Sequence, residues 1–253
     1  MKKDNFEFFN KNGYVIIKLF TAEDINILLN NTKDRLNKLI RYNLPIQNLK
    51  DFHKINFTMQ DHDVMMNPHS RYIKFNKTII NKIKSNSKLI KILDGFWNNT
   101  KFNIIWGSST LNNKTIKNAS GFRVARPLKE YTKDVAGVHI DLHFGGEIRK
   151  SKKAMLTFWT PLIGFSNKYS LRIAPKSHNT LWPSSSISKQ KKYITPVFKK
   201  NYKFPFKFIR PNLKKGEVII FHPNLLHGGS NNIGNISRVS LDFRIFNSKI
   251  SEL

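Results

Sequence analysis

The chain has 253 residues, 40% hydrophobic and 12% aromatic, with 44 Lys and Arg against 16 Asp and Glu for a formal net charge of +28. A chain of this length and apolar content buries a sizeable core, which excludes a disordered protein. Cysteine is absent, which excludes disulfides, iron–sulfur clusters, thiolate zinc sites and a cysteine nucleophile together, and fits a reducing, cytoplasmic setting.

No apolar run approaches the roughly eighteen residues of a membrane span. The opening MKKDNFEFFNKNGY has two lysines but no apolar stretch behind them, unlike a secretory signal. The charge would suit a nucleic-acid partner. The basic residues are dispersed, however, with only short clusters such as KQKK at 189–192, whereas nucleic-acid binding calls for a concentrated stripe. We read the lysines as a solvated surface; attraction to an anionic small substrate fits either reading.

In chain order, GYVIIKLF (13–20) is β-branched and predicts a buried strand. Thr21 follows as a helix N-cap with Asp24 at the capping-box position, and Ile25, Leu28, Leu29, Leu36, Leu39 and Ile40 share one helical face. Residues 43–70 lack periodicity and hold His53, His62 and His69, which we read as a plain loop. A second helical region spans about 76–97, on Ile79, Ile80, Ile83, Leu89, Ile90 and Leu93. From about residue 101 the texture changes to short apolar or alternating segments between turns: 101–111, 121–127, 137–144, 154–165, 169–175, 193–198, 217–223 and 238–246. A mainly helical part (1–100) leading into about eight strands (101–253) predicts one domain with a β-sandwich or barrel.

In GVHIDLHF (137–144), His139, Asp141 and His143 stand at every second position, so on a strand they project from one face. A His and a carboxylate two apart can share a metal ion. His143 lies roughly 6–7 Å further along, which suits a pocket residue better than a ligand. A third ligand must come from elsewhere, and GEVIIFHPNLLHGGSNN offers His222 and His227. Two His and one carboxylate on one face of a ferrous ion leave three positions open for co-substrate and oxygen. Such a site needs a partner for a co-substrate carboxylate, and Arg238, eleven residues after His227, has the planar fork for it.

At this point the chain resembles the phytanoyl-CoA dioxygenase-like branch of the iron(II)/2-oxoglutarate-dependent oxygenases. NGYVIIKLFTAEDINILL is similar to the family's opening strand and helix. SLRIAPKSHN is similar to its Pro-Gly-Ser-His turn, with Lys176 in place of the usual glycine. GEVIIFHPNLLHGGSNNIGNISRVSLDFRIF is similar to its closing histidine–arginine segment.

The resemblance implies a mainly β fold with N-terminal helices and a double-stranded β-helix (jelly-roll, cupin-like) core. It implies Fe(II) as cofactor, 2-oxoglutarate and O2 as co-substrates, and His139, Asp141 and His227 as metal ligands and catalytic centre. His227 takes precedence over His222 because only it leaves the arginine at the family's separation. Arg238 then pairs with the distal 2-oxoglutarate carboxylate, assisted by Ser230, one place later than the family's hydroxyl. Arg126, with Arg123 behind it, is the candidate for the other carboxylate, and Thr157 borders the same cavity. Arg123, His143 and Trp159 are the substrate candidates, and they suit a hydroxylated or anionic small molecule, such as a carbohydrate or a natural-product intermediate. His178, in the SHN turn, is read as structural. Asp141 argues against halogenation, because halogenating relatives lack that carboxylate. Two alternatives are kept. Arg244, six after Arg238, matches an arginine pair of the nucleic-acid demethylase branch, although that branch has a longer separation before its first arginine. A non-catalytic cupin-like binding protein is the other.

Overall fold

The computed structural model describes residues 4–39, 48–55, 70–106, 116–127, 134–143, 155–182, 187–189, 196–198 and 202–249; His62 and His69 lie outside them. The chain opens with a helix the periodicity did not announce, α1 (Asn5–Asn12), capped by the Asp4 carboxylate on the Phe6 amide. Gly13 ends it in the left-handed region at φ 77°, where a Cβ would also fall 2.4 Å from the His178 ring. Strand β1 (Tyr14–Lys18) follows. Helix α2 (Ala22–Leu39) begins with the expected reciprocal box: the Thr21 amide donates to Asp24 at 2.7 Å, and the Asp24 amide to Thr21 Oγ1 at 3.2 Å.

A 3-10 segment (Leu49–Lys54) and β2 (Tyr72–Lys74) precede α3 (Lys77–Ser85) and α4 (Ser87–Trp97). The region expected as one helical stretch is thus two helices. Asn86 separates them, ending one through its amide and starting the next by accepting from the Leu89 amide. The remaining strands are β3 (Phe102–Trp106), β4 (Ile116–Lys117), β5 (Ala119–Ala125), β6 (Met155–Ile163), β7 (Arg172–Ile173), β8 (Ile187–Lys189), β9 (Pro196–Phe198), β10 (Glu217–Phe221), β11 (His227–Gly228) and β12 (Arg238–Asn247).

Eight strands form one antiparallel sheet, with β1-β10-β6-β12-β3-β4 in order and β5 joining β12 to β2. Alternation divides its side chains. Ile104, Phe122, Leu156, Phe158, Val218, Ile220, Leu241, Phe243 and Ile245 form the main core with the helical residues Leu28, Leu36, Ile79, Ile83 and Leu93. Trp159, Ile219 and Phe221 belong to a second cluster with Leu171, Ile173 and Leu225 on the opposite face. There β7 and β11 make a small second sheet, extended by bridges from His139 to His227 and from Ile173 to Ile209. Two facing antiparallel sheets behind a helical layer make a double-stranded β-helix of the jelly-roll class.

One expected strand is absent. Among the described residues 137–143 only His139 makes a bridge, and Asp141–His143 is a 3-10 turn whose Leu142 amide bonds to Pro223 O. His139 and Asp141 therefore converge through a turn, and not by lying on one strand face.

Phe243 stacks on Phe158 (centroids 4.6 Å apart, 22°) and meets Phe75 edge-on at 5.3 Å. Phe243→Ala should cost about 3–5 kcal/mol, read as a lower urea midpoint at unchanged slope.

Candidate metal and co-substrate site

The site sits where the small sheet faces the large one. His139 and His227 exchange backbone hydrogen bonds of 2.9 and 3.0 Å, which brings their rings to a centroid separation of 4.2 Å. Each Nδ1 lies against the carbonyl of the residue two before it: 2.7 Å to Gly137 O and 2.9 Å to Leu225 O. A carbonyl only accepts, so Nδ1 carries the proton and Nε2 keeps its lone pair. The two Nε2 atoms lie 4.0 and 3.7 Å from Asp141 Oδ1, and the three ligating atoms are all within 4.8 Å of one another.

Electrostatics agree with a metal-ready donor set. Burial, then the neighbouring His227, lowers His139 to about 3, and burial also lowers His227, so both rings are neutral. Burial alone would raise Asp141, but Arg244, then the two histidines, hold it well below the usual carboxylate range. Its Oδ2 accepts from Thr157 Oγ1, and its Oδ1 accepts from Arg244 Nη2 at 3.3 Å. Two neutral imidazoles and one ionised carboxylate, fixed by hydrogen bonds from behind, fit a divalent ion that keeps open positions.

Arg238 is buried at the start of β12, opposite Ala125. Its Nη1 donates to Tyr169 O and its Nη2 to Ser230 O at 2.9 Å. Burial, then the like charge of Arg123, lowers it to about 10, so it is still a cation at neutral pH. Among the described residues, no side-chain hydrogen bond or ion pair involves Arg123, although its charge is felt at both His139 and Arg238.

Other expected residues are engaged elsewhere. Arg126 grips Asp134 with Nε at 2.9 Å and Nη2 at 2.8 Å, and its amide takes the same carboxylate, so its fork serves a buried ion pair and not a co-substrate carboxylate. Thr157 spends its hydroxyl proton on Asp141. Ser230 Oγ receives Arg210 Nε at 3.2 Å, and the residue touches Arg238 only through its carbonyl. Trp159 is buried in the cluster beside the site. The expectation that the His143 side chain lines the pocket lies outside the described side chains. His222 is not near the triad; its Nδ1 accepts from the Asn224 amide, and its ring packs on Phe96 and His178. His178 reaches Asn10 O and ties its turn to α1. His53 is more than a plain loop residue: its Nδ1 and amide both lie 3.1 Å from Ser237 Oγ, which pins the strand start next to Arg238. Nothing in the sequence marked that contact, which spans 184 residues.

A profile of the family described as phytanoyl-CoA dioxygenase (PhyH) matches residues 9–240. The chain belongs to the phytanoyl-CoA dioxygenase family. As a member it is an iron(II)- and 2-oxoglutarate-dependent oxygenase, with O2 as second co-substrate. Solved structures with a similar fold include the non-haem alpha-ketoglutarate-dependent carbocyclase SnoK from nogalamycin biosynthesis (12% identity, 98% of this chain and 85% of that one, TM-score 0.59). They also include EctD from S. alaskensis with 2-oxoglutarate and 5-hydroxyectoine (15%, 98% and 77%, TM-score 0.58). A third is EvdO2 from Micromonospora carbonacea var. aurantiaca (13%, 98% and 91%, TM-score 0.55). No curated protein matches the sequence. Among the described residues, no helix is long and apolar enough to cross a membrane.

Thr157→Val, which keeps the shape and removes the donor, should weaken binding of a divalent ion by about 10–100-fold in a competition titration. Asp134→Ala should destabilise the fold in chemical unfolding, because it removes the carboxylate that the buried Arg126 fork and amide share.

Proposed function

We propose that the chain hydroxylates a small polar molecule bearing an anionic group, releasing succinate and CO2, and that it acts as one domain in the cytoplasm. In this reading His139, Asp141 and His227 hold the iron, and Arg238 pairs with the distal carboxylate of 2-oxoglutarate. Iron, once loaded with 2-oxoglutarate and O2, supplies the oxidising power. The chain's own part is to orient and shelter. Nδ1–H contacts to Gly137 O and Leu225 O fix the ring planes, Thr157 and Arg244 fix the carboxylate, and Trp159, Leu171 and Ile173 form a buried apolar cluster beside them.

The observation that carries the substrate class is Arg123. It is a half-buried cation on β5, opposite Ser240 and near both His139 and Arg238, with no carboxylate paired to it among the described residues. Strand pairing puts Arg123 and Arg238 on the same face of the sheet, two like charges that favour an arriving anion, and one dicarboxylate tail at Arg238 leaves Arg123 for another group. A polar substrate also accords with EctD, whose structure holds 5-hydroxyectoine, and with SnoK, from nogalamycin biosynthesis. Arg126, once its pairing with Asp134 is counted, is no longer part of this reading.

Oxidative demethylation of nucleic acid is the competing reading, supported by the charge of +28 and by the Arg238–Arg244 spacing. Anaerobic Fe(II) with 2-oxoglutarate should give a weak visible charge-transfer band that His139→Ala removes. Succinate release should then be stimulated by members of a pool of carboxylated or phosphorylated small molecules, and Arg123→Ala should raise the KM for the responder by about tenfold or more. Turnover of methylated oligonucleotides in place of small molecules would overturn the proposal.

A further inference from the structure

The contact between Arg244 and Asp141 has no part in holding a co-substrate, and its placement is unusual for a spare cation. Arg244 stands on β12 directly opposite Thr157 on β6, so the two side chains approach Asp141 together from the large sheet. They divide its carboxylate: Thr157 takes Oδ2 and Arg244 Nη2 takes Oδ1 at 3.3 Å. Oδ1 is also the oxygen nearest the two imidazoles, 3.7 Å from His227 Nε2 and 4.0 Å from His139 Nε2. The guanidinium therefore holds the very atom that a metal between those rings would use.

The surroundings keep Arg244 there. Its side chain is 12% exposed, its charged carbon lies 5.7 Å from the centre of the Trp106 ring, and its buried Nε has no hydrogen-bond partner among the described residues. Room for that ring exists because residue 121 is glycine: a Cβ there would fall 2.2 Å from Trp106. Its second acidic neighbour, Asp242, is more distant, with Nη1 3.6 Å from Oδ2. Asp141 itself is fully buried, and among the described residues Arg244 is the one arginine or lysine whose side chain reaches its carboxylate.

We propose that Arg244 is a charge placeholder: its guanidinium holds and aims the Asp141 Oδ1 atom while the site lacks its metal, and it moderates the grip on the metal afterwards. The inference rests on the metal reading of the triad. Two effects act in the same direction. Without metal, the Asp141–Arg244 attraction stabilises the apoprotein, which opposes uptake. With metal, the guanidinium and the dication repel across a few ångströms at low dielectric. Removing the charge should tighten metal binding, whereas an ordinary positioning residue would weaken it when removed. Arg244 acts through Asp141 and is not a catalytic residue.

The test is a Co(II) titration of chelator-stripped protein, with no co-substrate present, alongside thermal unfolding. Arg244→Gln should bind Co(II) tighter by on the order of tenfold, and Arg244→Lys, which keeps the charge, should stay near the parent. The metal-free R244Q protein should melt earlier than the parent, and that loss should vanish in an Asp141→Asn background, where no buried charge needs a partner. If R244Q does not fold alone, recovery of folding by Co(II) supports the placeholder, and no recovery overturns it. Equal or weaker Co(II) binding by R244Q, or instability that persists beside D141N, also overturns it. Failure of the parent protein to take up Co(II), or uptake that survives His139→Ala, brings down the metal reading itself.

Discussion

A fully buried carboxylate, Asp141, is the constraint around which the rest of the site is arranged. An ionised acid with no exposure is costly unless it is matched from several sides. Here the matching groups come from both sheets. Thr157 and Arg244 reach it from adjacent strands of the large sheet, while His139 and His227 stand before it from the small one. No single element could supply all four, so the acid's charge is tolerable only once the two sheets face each other. The three-residue donor set is therefore brought together only where the two sheets face each other.

The arginines show how the same charge serves different ends in different surroundings. Arg126 is spent on a buried pair with Asp134 and behaves as structure. Arg238 leans on two backbone carbonyls, which aim its fork without cancelling its charge. Arg244 is bound to a metal ligand, and Arg123 has no acid paired with it among the described residues. A count of basic residues cannot separate these cases, because a pair, an aimed cation and an unmatched cation differ only in what lies within about 4 Å.

The helical layer also contributes to the site, from a distance. The 3-10 segment at Leu49–Lys54 clips onto Ser237, with the Ser237 amide on Lys50 O at 2.8 Å and its hydroxyl at His53. Arg238 is the next residue, so the helical third sets where this buried arginine emerges at the start of the strand. On the opposite side His178 and Gly13 lock α1 against the turn before β8. These contacts join parts of the chain far apart in sequence.

Local pattern carried much of the outline. The box at Thr21 and Asp24, the period of α2 and the strands at 217–221 and 238–247 are readable because each depends on residues near one another in the chain, while the order His-x-Asp, His, Arg was readable through the family resemblance. Tertiary structure decided the rest. A strand pattern at 137–144 became a bridge and a turn, because the Leu142 amide finds Pro223 O across the chain in place of a ladder partner. Arg126, the sequence candidate for one co-substrate carboxylate, pairs with Asp134, and Arg244, noted in the sequence only for its spacing from Arg238, meets Asp141. Sequence fixes which charges exist and on which face of a strand they stand; only packing decides which opposite charge each one meets, because that meeting is made by separate strands brought together from distant segments.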